Sequence, residues 1–87
     1  MEETYYIMTF TSHYRALYIY ERTTRRKIYV KLITAPNKIH LSCTQAIKFK
    51  QSDLKVVQQE LQKCNIYPSA TFKVCMDGKK EFYEIVK

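Results

Sequence analysis

Eighty-seven residues with one glycine, two prolines, 46% hydrophobic and 26% charged content make one globular domain, residues 1–87, and exclude a second domain, low-complexity material and a disordered chain. Fifteen Lys+Arg against eight Asp+Glu leave a net charge of +7, which favours anionic partners: nucleic acid, acidic proteins or phosphorylated small molecules. No apolar run nears the ~20 residues needed to cross a bilayer, and the acidic start Met1-Glu2-Glu3 does not open a signal peptide. The expectation is therefore a soluble, cytoplasmic protein without a membrane partner.

In chain order, Tyr5-Tyr6-Ile7-Met8-Thr9-Phe10 is β-branched and aromatic on both faces, as a central strand is. Thr11-Ser12 offers a helix N-cap, and Ala16, Ile19, Tyr20 and Thr23 recur at helical spacing as far as the basic run Arg25-Arg26-Lys27, which suits a helix C-terminus. Ile28 to Ile33 alternates as a second strand, with Ile28, Val30 and Leu32 inward. Pro36-Asn37 breaks it, so Thr34 to about Cys43 is a loop. Ala46 to Lys50 alternates again, Ile47 and Phe49 inward and the lysines outward. Gln51-Ser52-Asp53 then offers a cap, and Leu54, Val57, Leu61 and Cys64 form the apolar stripe of a second helix ending at Asn65.

Thr71 to Val86 reads as a hairpin around Asp77-Gly78, with Gly78 supplying the positive φ. A two-residue turn would set Glu81 opposite Val74. A three-residue turn with a bulge would set Phe82 there, and burial favours the latter. The order β-α-β-β-α-β with one added C-terminal hairpin strand is the plan of an α+β, ferredoxin-like sandwich: an antiparallel sheet with two helices on one face.

Cys43 is the residue with chemical promise. It ends a loop and is flanked by Ser42, Thr44 and Gln45, polar company for a packing cysteine. A thiol reacts as its thiolate, so it needs exposure and stabilisation of negative charge, for which His40, Lys38 and Ser42 are the neighbours in sequence. The competing reading, an unreactive surface or half-buried cysteine, stays open on spacing alone. Cys64 lies on the helix stripe as a small core residue, and Cys75 faces away from Val74 and Met76. Three cysteines without a C-x-x-C predict free thiols rather than a disulfide framework.

His40-x-x-Cys43 is only a two-ligand fragment, so no metal is expected. The single glycine leaves no phosphate loop and no cofactor motif, and His13 reads as a polar first-turn residue. The cluster Arg22, Arg25, Arg26 and Lys27 reads as a solvated face rather than an anion-binding patch. Eight tyrosines raise the stacking of single-stranded nucleic acid on the sheet, but the aromatic signature strand of RNA-binding domains is absent, and core and rim tyrosines are expected instead.

The segment from Lys31 to Phe49, with Pro36, Ser42-Cys43 and the alternating strand, followed by Ser52-Asp53-Leu54, resembles the selenium/sulfur carrier-like family of small bacterial proteins. Ser12-His13 with Ala16-Leu17 matches that family's first helix start, and the resemblance covers about residues 4–67. The chain departs from the family pattern at Thr44 and Lys27, where glycine is usual, and its tail from Ser69 onward is longer. The resemblance implies a carrier thiol at Cys43 that accepts sulfur or selenium and hands it on, without being an enzyme in its own right. It also implies a donor protein such as a cysteine desulfurase, and the basic surface could dock an acidic partner.

Overall fold

The computed structural model describes residues 4–34 and 45–86. It is an α+β structure whose elements run β1 (Tyr5–Phe10), α1 (His13–Arg25), β2 (Val30–Thr34), β3 (Gln45–Lys50), α2 (Leu54–Cys64), β4 (Ala70–Asp77) and β5 (Lys80–Ile85). The five strands form one antiparallel sheet in the order β2-β3-β1-β4-β5. β1 is central, which is why its sequence is apolar on both faces: Tyr6, Met8 and Phe10 are buried on one side and Ile7 on the other.

Both helices cover a single face. Ala16 and Ile19 of α1 and Val57 and Leu61 of α2 join Tyr6, Met8, Phe10, Val30, Ile47 and Phe49 in one core, with Tyr6 and Phe49 meeting edge to face at 6.1 Å. Each of these larger side chains is worth about 1.5–3 kcal/mol of transfer free energy when fully buried. The opposite face carries a smaller cluster, Ile7 and Ala46 with Ile33, Val74 and Tyr83, and no helix residue belongs to it.

Helix ends follow local chemistry. Ser12 caps α1 and accepts from the Arg15 backbone N–H at 3.4 Å. α1 stops where Lys27 takes a left-handed φ of 64°, and α2 stops at Asn65, φ 54°, with Ile66 N–H donating to the Leu61 carbonyl at 3.0 Å. Asp53 makes no side-chain cap bond. Instead a 3₁₀ turn over Gln51–Asp53 feeds the chain into α2.

Three expectations are corrected. The hairpin turns on Gly78-Lys79 rather than Asp77-Gly78: Asp77 pairs with Lys80, so Tyr83, not Glu81 or Phe82, lies opposite Val74. Gly78 has φ 64° and Lys79 is not in the positive region, the pattern of a type II′ turn with glycine at its first central position. Such a turn needs no bulge to match the strand twist. The second correction is partial and concerns the tyrosines: Tyr6 is buried and Tyr20 and Tyr83 pack against the two clusters as core and rim residues, but Tyr14, Tyr18, Tyr29 and Tyr67 are exposed.

The third concerns the arginine cluster, two members of which, Arg22 and Arg26, are ion-paired to a buried carboxylate while staying partly in water. Glu60 is 2% exposed on α2, and it receives Arg22 Nε at 3.0 Å, Arg26 Nη1 at 2.7 Å and Lys63 Nζ at 3.4 Å. Burial pushes the Glu60 carboxyl pKa up, but these cations outweigh it and hold it below its ordinary value. Among the described residues, no helix is long and apolar enough to cross a membrane.

Candidate functional site

Cys43, Ser42 and His40, the residues singled out from the sequence, lie outside the described residues, as do Lys38 and Thr44. The structure describes the frame from which that segment departs. Thr34 and Gln45 are direct cross-strand partners, so residues 35–44 leave and re-enter the sheet at adjacent positions. Gln45 also pairs with Phe10, the last residue of β1, two residues before the Ser12 cap of α1. The strand order and antiparallel register bring the C-terminal end of β1, the start of α1, the end of β2, the start of β3 and the C-terminus of α2 to one end of the molecule.

Two side chains are locked together there. The Gln45 amide donates through Nε2 to the Ile33 carbonyl at 3.0 Å, which fixes which end of the amide is nitrogen. Its Oε1 is 3.1 Å from His13 Nδ1, and an amide oxygen can only accept, so Nδ1 carries the proton. Among the described residues, the Nε2 of this exposed imidazole has no hydrogen-bond partner, and the ring stands at the strand ends that bracket residues 35–44. Reading the sequence as a polar first turn missed this placement of His13. The available signal was Ser12-His13 within the helix-start motif.

The other two thiols occupy contrasting places. Cys64 packs half-buried against the helix-side core and, with Tyr14, Arg15, Tyr18, Asn65 and Ile66, lines a cavity of about 390 Å³ at the same end of the molecule. Cys75 lies on β4 far from it, and its Sγ donates to Glu84 Oε2 at 3.3 Å. Burial pushes the Cys75 thiol pKa up, and the hydrogen bond and charge of Glu84 push the same way, against a weaker opposing effect of Lys73. These effects disfavour the thiolate form of Cys75.

The model of the family described as "Putative Se/S carrier protein-like" matches residues 5–73, which includes all of β1 to α2, the segment bearing Cys43 and the first part of β4. The chain belongs to this Se/S carrier-like family. No curated protein and no solved structure matches it. The match ends inside β4, so β5 and the hairpin turn are additions outside the family match. Lys27 takes a left-handed φ of 64°, a conformation that a residue without Cβ would adopt at no steric cost.

Proposed function

We propose that this Se/S carrier-like protein holds sulfur or selenium on Cys43 and passes it to an acceptor thiol. The observation that carries the reading is the family match across the Cys43 segment. The His13 imidazole, whose Nε2 has no partner among the described residues and which stands at the strand ends bracketing that segment, supports it. In this reading the β1 to β4 core follows the ferredoxin-like plan, β2-β3-β1-β4, with β5 added at its edge.

The chemistry balances without an external oxidant or reductant. His13 Nε2 takes the Cys43 proton, and the thiolate attacks the outer sulfur of a donor persulfide, such as that on a cysteine desulfurase. A new S–S bond forms to Cys43 as the donor's S–S bond breaks, and the donor cysteine leaves as its thiolate. An acceptor thiolate then attacks the outer sulfur on Cys43 and releases the Cys43 thiolate. Ser42 and His40 stabilise that thiolate in the same reading, and the +7 charge docks an acidic donor. The test is incubation with a desulfurase and cysteine followed by intact-mass measurement. Wild type should gain one sulfur, about 32 Da, per chain, His13→Ala should gain it more slowly, and Cys43→Ser should gain none. Equal gain by Cys43→Ser overturns the reading.

A further inference from the structure

The sheet face away from the helices has an order that the sequence alone did not display. Strand register lines up one row across it as Lys50, Tyr5, Val74 and Tyr83, and the next as Lys31, Lys48, Ile7, Phe72 and Ile85. Tyr29, just before β2, joins Tyr5, Lys31 and Lys48 around a cavity of about 250 Å³. No carboxylate occurs in either row.

Lys31 and Lys48 are direct cross-strand partners, an arrangement in which like charges repel. Among the described residues no salt bridge neutralises either of them, although Lys48 Nζ sits over the Tyr5 ring, 5.1 Å from its centroid. An ordinary solvated sheet face would intersperse acids among its lysines. This one concentrates cations beside flat rings, one of which, Tyr29, is 65% exposed. An acidic peptide would use the lysines and leave the rings idle. A nucleotide strand uses both, because its phosphates meet cations while its bases stack on aromatic faces. The cavity is smaller than the 300–1,000 Å³ typical of enclosed small-molecule sites, which suits one base lying open on the sheet.

We propose that this face, from Tyr29 and Lys31 across Lys48 and Tyr5, binds single-stranded nucleic acid, with bases on Tyr29 and Tyr5 and phosphates at Lys31 and Lys48. Tyr5 begins β1 and Phe10, beside the Cys43 segment, ends it, so the two sites occupy opposite ends of the strand. Binding here is independent of the carrier reading.

The test is fluorescence anisotropy with labelled octauridylate and octathymidylate at 50 and 200 mM salt. Two phosphate contacts predict a log–log salt slope near 1.4, so affinity should fall about sevenfold over that range. Tyr29→Ala should weaken binding at least about fivefold. The double variant Lys31→Ala/Lys48→Ala should abolish most of the salt dependence. Lys31→Ala alone, at an exposed position, should halve it and serves if the double variant does not fold. Lys55→Ala/Lys79→Ala, which removes the same charge elsewhere, and Cys43→Ser should bind as wild type does. Absence of binding at 50 mM salt overturns the proposal. So does equal weakening by the Lys55/Lys79 variant, which would mean attraction by net charge alone, and so does unchanged binding by Tyr29→Ala.

Discussion

Replacing Glu60 by glutamine keeps the side chain's size and removes its charge, at a buried carboxylate that ties α2 to α1. Three cations converge on it at 2.7–3.4 Å, and removing one partner of a buried ion pair can cost 3–5 kcal/mol. Here Arg22 and Arg26 keep 36% and 38% of their side-chain surface in water, so they can rehydrate once the carboxylate is gone. The expected loss is accordingly smaller, about 2 kcal/mol at pH 7, or a Tm lower by about 8–16 °C for a domain of this size. The cations hold the carboxyl pKa down despite its burial, so its contribution is present above the unfolded-state value near 4.3 and disappears as pH falls through the lower folded-state value. Urea unfolding of both proteins from pH 7 to pH 2.5 tests this, and the gap should close at the acid end. A gap under about 0.5 kcal/mol at pH 7, or one that stays constant into acid, would refute the account of Glu60.

Lys27→Gly should stabilise the fold by about 1 kcal/mol, read from the same urea transitions, because glycine adopts the φ of 64° after α1 without the Cβ clash. Gly78→Ala should do the reverse by about the same amount: open space surrounds the new Cβ, but the positive φ does not suit it. Cys75 should alkylate slowly with iodoacetamide at pH 7 and faster in Glu84→Gln, since that carboxylate accepts the thiol's hydrogen bond and disfavours its negative form; an unchanged rate would remove Glu84 from the explanation.

Much of the fold was readable because local signals and burial agree. The two-sided apolar run Tyr5–Phe10 is the central strand, the stripe Leu54, Val57, Leu61 and Cys64 faces the core from α2, and Asn65 takes the left-handed conformation that ends that helix. The hairpin was recognisable, but its register was not: Asp-Gly marks a turn without saying which two residues occupy its centre, and a shift of one residue changes every cross-strand pair. Glu60 lay in the polar stretch Gln58-Gln59-Glu60, 34 and 38 positions from its arginine partners, and no periodicity predicts such a pairing. The same limit hid the lysine and tyrosine rows, which exist only through strand order. At the candidate site, Ser12-His13 was legible as a helix start, whereas the His13–Gln45 hydrogen bond spans 32 positions of sequence.

The carrier account rests on which sulfur atom takes the cargo. Variants that each retain a single cysteine, Cys43, Cys64 or Cys75, can be loaded by a desulfurase with cysteine under limiting turnover, then alkylated and mapped by peptide mass. The account predicts that the variant retaining Cys43 gains sulfur as wild type does, on the peptide bearing that residue, and that the other two gain none. Sulfur found on Cys64, which lines the cavity with Tyr14, Arg15 and Tyr18 at the same end of the molecule, or on Cys75, with Cys43 unloaded, would contradict it.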